Sequence, residues 1–150
     1  MITFKYSELR LYSQINQADV ILTEELIRQT EKEAQGSSYP KYVQKLKGIG
    51  IGNYEVRVKN HNRKFTASDG QEILVSGDLP LVECADEFDP AAIKSAIRRS
   101  QEGLTDYPTF VAEIAAAGVH NYLADLGAMK ILYMGRDAGN LYTELIPTAD

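Results

Sequence analysis

The chain has 150 residues, 44% hydrophobic and 25% charged, enough apolar material for a packed core without disulfide or metal staples. Its single cysteine, Cys84, excludes a disulfide framework and a thiolate metal cluster. The net charge of −5 disfavours strong non-specific nucleic-acid binding, and no apolar run approaches the roughly 18 residues of a membrane helix.

Residues 1–16 are ambiguous, because Ile2, Phe4 and Tyr6 alternate as in a strand while later spacing also suits a helix. Thr23–Gln35 then aligns Leu26, Ile27, Thr30 and Ala34 along one helical side, with Gly36 as the stop. A second helix opens with Ser38 as its cap and Pro40 in the first turn. It turns Tyr42, Val43 and Leu46 inward and ends at Gly50, suited to a left-handed cap. Alternation of Tyr54, Val56 and Val58 predicts a strand, followed by strands near Lys64–Ala67 and Gln71–Val75 across an Asp69-Gly70 turn.

After a connector at 77–88, the order repeats. Asp89 and Pro90 open a helix with Ile93, Ala96, Ile97 and Ser100 inward, closed by Gly103. Asp106 and Pro108 open the next, with Phe110, Val111, Ile114 and Ala117 inward and Gly118 at its end. Three strands follow: one carrying Tyr122, Ala124 and Leu126, one near Lys130–Tyr133 and one near Leu141–Ile146.

Tyr39–Tyr54 and Tyr107–Tyr122 align at a constant offset of 68, with identical residues at Tyr39/Tyr107, Pro40/Pro108, Val43/Val111, Gly50/Gly118, Asn53/Asn121 and Tyr54/Tyr122. Shared burial explains matching Val; it does not explain matching Pro, Gly and Asn, which act on the backbone. The expected fold is therefore α+β: two α-α-β-β-β repeats, about 20–76 and 89–147, related by a pseudo-two-fold in one domain. A mainly antiparallel sheet carries the helices. Whether the repeats share one sheet is open at this level.

The run Gln-Glu-Gly-x-x-x-Tyr-Pro-x-Phe-Val at 101–111, with Ala-Gly-Val-x-x-Tyr at 117–122 and Glu-Leu-Ile-Pro at 144–147, carries a resemblance. It resembles the YbcV-like bacterial and prophage domain of unknown function, whose members are often labelled phage envelope protein. The resemblance covers about residues 25–147. It implies a phage-related bacterial protein and contributes no catalytic residues.

Chemistry-bearing motifs are few. Gly48-x-Gly50-x-Gly52 lies between a helix and a strand, the reverse of the strand–loop–helix order that cradles a phosphate. His61, in the turn Asn60-His61-Asn62, is expected to be exposed; His120 opens a strand without a nucleophile elbow. Asp86, Glu87 and Asp89 read as connector solvation and helix-start charge, and Cys84 as structural. No catalytic residue, cofactor or metal ligand is assigned. With no leader pattern at the N-terminus, the expected setting is cytoplasmic.

Two candidate sites remain. Between Lys41 and Lys64 seven cations face one anion, so this window carries +6 and the other 126 residues −11. Within it, Arg57, Lys59, His61, Arg63 and Lys64 mark a hairpin suited to an anion or an acidic partner, including a second copy in a homo-oligomer. Tyr39, Tyr54, Tyr107, His120 and Tyr122 mark the second candidate, a cleft between the repeats. The leading functional expectation is a non-enzymatic interaction module. Binding of an anionic ligand or nucleic acid at 57–64, and an enzyme using the cleft, are the alternatives.

Overall fold

The computed structural model describes residues 21–148, so the reading of the first 16 residues lies outside it. Four helices precede and separate six strands: α1 (Glu24–Glu33), α2 (Tyr39–Gly48), β1 (Ile51–Arg57), β2 (Asn62–Ala67), β3 (Glu72–Val75), α3 (Pro90–Gln101), α4 (Tyr107–Ala116), β4 (Asn121–Asp125), β5 (Lys130–Met134) and β6 (Leu141–Leu145). The strands form one sheet in the order β3-β2-β1-β4-β5-β6, every neighbouring pair antiparallel. The two repeats thus share a continuous sheet, joined at β1 and β4.

That joint has a two-fold register. Tyr54 lies opposite Ala124 and Val56 opposite Tyr122, with Glu55 opposite Leu123. Tyr54/Tyr122, Val56/Ala124 and Glu55/Leu123 are all equivalent at the offset of 68, so the pseudo-axis passes between Glu55 and Leu123.

The helices cover one face. Strand alternation delivers Tyr54, Val56, Phe65, Val75, Tyr122, Ala124, Ile131 and Tyr133 to that side. They pack against Ile27, Val43, Leu46, Ile93, Ile97 and Ile114, which recur at helical spacing. Burying each such aliphatic side chain stabilises the fold by about 1.5–3 kcal/mol. Among the described elements, the opposite face is uncovered, as antiparallel sheets permit.

Local capping accounts for the helix starts. Thr23 Oγ1 accepts from Leu26 N–H at 3.1 Å, and Asp89 and Asp106 carboxylates accept from Ala92 and Thr109. Ser38 departs from expectation: its hydroxyl makes no cap bond, because Lys41 N–H donates to the Ser38 main-chain oxygen.

The helix stops differ in a measurable way. Gly50 and Gly118 both adopt left-handed backbone, with φ of 93° and 91°. A Cβ at Gly50 would meet open space, whereas one at Gly118 would lie 2.1 Å from Glu87 O in the connector. Gly50→Ala should therefore cost about 1–2 kcal/mol from backbone strain alone. Gly118→Ala should cost more than about 3 kcal/mol, because it also displaces the connector. Urea unfolding of the two variants checks the contrast; equal losses would contradict it.

Candidate functional site

The basic hairpin divides between the two faces of the sheet. Val56 and Val58 are buried, so Arg57 and Lys59 project from the uncovered face. Arg57 lies between Asn62 of β2 and Asn121 of β4, and Lys64 between Glu55 and Leu74. Lys64 pairs loosely with Glu72 at 3.7 Å, while Arg57 and Lys59 have no ion-pair partner among the described residues.

Arg63 and His61 turn the other way. Arg63 is 6% exposed and forms an ion pair with Glu31 of α1. It also donates to Ser76 O at 2.8 Å and lies 3.5 Å from Asp78, which Arg28 grips at 2.8 Å. This cluster fastens α1 to the end of β3. Burial pushes the Glu31 carboxyl up despite the opposing guanidinium.

The expected exposure of His61 is corrected: it is 5% exposed. Its backbone takes a left-handed φ of 58°, which aims the imidazole across the repeat boundary onto Tyr107. Nε2 lies 3.0 Å from the Tyr107 hydroxyl, and Nδ1 has no partner among the described residues. Desolvation, with Arg63 adding to it, lowers the imidazole pKa to about 4. His61 is therefore neutral at neutral pH. Met129, its equivalent at the offset of 68, has φ of 54°.

Arg57 separates two hollows on the uncovered side. One, of about 500 Å³, lies between Arg57, Lys59, Cys84, His120 and Asn121, with Glu83 also in its wall. The other, of about 480 Å³, is lined by Arg57, Asn60, Asn62, Lys64, Glu55 and Leu74 among others. His120 Nε2–H donates to Ala85 O at 2.9 Å, which ties this residue to the connector. Burial pushes the half-buried Cys84 thiol up although Lys59 opposes it, so it stays protonated.

The four repeat-equivalent tyrosines converge on the covered side, away from His120. Tyr39 and Tyr54 hydroxyls meet at 2.5 Å, and Tyr107 and Tyr122 hydroxyls meet at 2.5 Å. The Tyr54 and Tyr122 rings touch edge-on with centroids 6.4 Å apart, bringing both pairs together at the pseudo-axis. Tyr107 leaves 42% of its surface exposed yet directs its hydroxyl inward to Tyr122 and His61. Desolvation raises all four hydroxyls, Tyr107 to about 12. These groups are protonated, mutually satisfied and poorly suited to act as bases or nucleophiles.

Two buried-pair carboxylates, Glu31 and Glu144, were not singled out from sequence. Tyr133 donates to Glu144 at 2.6 Å, and Gln101 donates to the other Glu144 oxygen at 2.9 Å. Burial raises the Glu144 carboxyl as it does that of Glu31. The available signal was a charge at an inward alternating position: Arg63 before Phe65 and Ala67, and Glu144 between Tyr142 and Ile146. No group of His, Cys, Asp or Glu among the described residues could hold a metal, and no described helix is long and apolar enough to cross a membrane.

Residues 28–145 match the family described as Protein of unknown function (DUF1398). The chain belongs to that family. No curated protein matches it. The DUF1398 region spans all four helices in whole or part and all six strands, including the uncovered face and the tyrosine pairs.

Each tyrosine pair should behave as a unit. Tyr54→Phe strands the Tyr39 hydroxyl and should cost about 1–3 kcal/mol, whereas Tyr122→Phe should cost less because Tyr107 keeps its bond to His61. Tyr39→Phe with Tyr54→Phe should cost less than the sum of the single changes, measured by a denaturation double-mutant cycle.

His61 gives stability a pH dependence. Its folded pKa of about 4 lies below the ordinary 6.5, so the unfolded chain binds the extra proton between these values. Its contribution is complete above about pH 6.5 and is lost as pH falls toward 4. His61→Asn, which tolerates left-handed backbone, should flatten that slope by up to about 1.4 kcal/mol per pH unit. Parallel unfolding curves for the two proteins across this window would refute the assignment.

Proposed function

We propose that this DUF1398 protein is a non-enzymatic interaction module that receives an acidic protein segment on the uncovered face of its first repeat. Arg57 carries the reading: it lies on that face between two hollows, without a carboxylate partner among the described residues. Lys59 and Lys64 extend the positive charge to either side. Leu74 and Leu123 lie in the same transverse row as Lys64, so apolar contacts adjoin the cations. This combination suits an amphipathic acidic segment. The phage-related, bacterial setting suggested by the YbcV-like resemblance, and the cytoplasmic setting expected from the N-terminal sequence, belong to the same proposal.

In a second reading the same cations take an anionic ligand or nucleic acid. Glu55 and Glu83 in the hollows oppose either kind of anion, and the apolar flank of Leu74 and Leu123 favours a protein segment over a phosphate backbone. The enzyme reading has less support, because the tyrosines of the proposed cleft satisfy one another and His120 is engaged elsewhere.

A fluorescent polyglutamate peptide and a single-stranded oligonucleotide of matched charge, titrated separately at low and moderate salt, test this choice. The peptide should bind more tightly, and Arg57→Glu with Lys59→Glu should weaken it at least about tenfold. Tighter binding of the oligonucleotide would favour the second reading. Peptide affinity unmoved by the double reversal would sink the proposal.

A further inference from the structure

The two edges of the sheet are unlike. β3 is a four-residue strand carrying Glu72, and the Arg63–Glu31–Asp78 cluster closes its far end. At the other edge β6 has the sequence Leu-Tyr-Thr-Glu-Leu, and no described strand pairs with its outer side. Leu141 and Leu145 are 54% and 75% exposed. The Glu144 carboxylate is taken up by Tyr133 and Gln101, so the side chains left exposed along this edge are uncharged and largely apolar, and such an edge is a template for another strand.

Its hydrogen-bonding phase can be read from the flanking bonds. Ile146 N–H donates to Met129 O at 2.9 Å and Gly135 N–H donates to Asn140 O at 3.3 Å. Antiparallel alternation then commits the backbone of Tyr142 and Glu144 to β5. The N–H and C=O groups of Leu141, Thr143 and Leu145 point away from the sheet. Pro147, in the same phase, has no N–H to offer and ends the usable edge.

We propose that β6 pairs antiparallel with β6 of a second copy, about a two-fold axis through Thr143. This register uses every outward backbone group: Thr143 exchanges both bonds with its own copy, and Leu141 does so with Leu145. The side chains agree with it. Leu141 meets Leu145 on the uncovered face, and on the covered face Tyr142 stands opposite Glu144, where a phenol can donate to a carboxylate. The strand is thus complementary to itself, as an isologous interface requires. The two sheets become one, by strand addition. The residues involved are distinct from the cationic surface, so either reading can fail alone.

Solution mass by light scattering, from dilute to concentrated protein, should rise from 16.7 kDa to twice that value. Thr143→Pro removes only an outward N–H, and Leu141→Lys with Leu145→Lys changes only exposed side chains. Both variants should keep the native circular dichroism and weaken dimerisation by at least about 100-fold. Thr143→Cys, in a Cys84→Ser background, should oxidise to a covalent dimer, since the paired residues fall within disulfide reach. A monomeric mass at every concentration overturns the proposal. So does a dimer that neither edge variant weakens and that Thr143→Cys does not crosslink.

Discussion

The antiparallel contact between β1 and β4 is the constraint from which the rest of the molecule follows. Each repeat makes its three strands locally, through short turns, but neither can close its own inner edge. Pairing Tyr54 with Ala124 and Val56 with Tyr122 closes both at once and brings two large aromatic residues to one place on the covered face. Their hydroxyls cannot be left dry in that position. Tyr39 and Tyr107, each the first residue of a helix, supply the partners, so the starts of α2 and α4 lie where their hydroxyls meet those of the sheet.

Away from the axis the repeats exchange polarity in matched sets. Arg63 and Glu31 form an ion pair in the first repeat; the second has buried Ile131 in place of Arg63 and, with α1 and α3 aligned at their caps Thr23 and Asp89, buried Ile97 in place of Glu31. Tyr133 and Glu144 form a hydrogen bond in the second; their counterparts in the first are Phe65 and, allowing for the one extra residue in the turn before β6 that pairs Gly139 with Gly70, Val75. In neither case is a charge left facing an apolar equivalent. Such compensation is expected physically, because removing one member of a buried pair costs more than replacing both. Each repeat therefore has its own polar bolt between sheet and periphery, placed differently.

Much of this architecture was legible in the residues. Pro40, Pro108, Gly50 and Gly118 act through the backbone, so they report helix starts and stops whatever packs around them. The alternation of Tyr54, Val56 and Val58 reports which way Arg57 and Lys59 point. The shared sheet was not legible, because the pairing of β1 with β4 is a long-range choice that local periodicity does not encode. His61 was misread for a related reason: a histidine in a turn is ordinarily exposed, and only its left-handed φ and the position of Tyr107 bring it inside. The strand's phase turns Arg63 to Glu31 rather than outward with Arg57 and Lys59, although it still borders the second hollow beside Arg57.

The position of the axis bears on how such a molecule could be assembled from halves. In a dimer of identical separate repeats, whatever residue occupies the axial position must meet itself. Glu55 would then face a second glutamate directly across the strands, an unfavourable contact. With both halves on one polypeptide, the two axial positions are free to diverge, and the glutamate meets Leu123 instead. Covalent fusion converts a self-facing position into an asymmetric one, and the same freedom lets one half of the uncovered face hold cations while the other holds leucines.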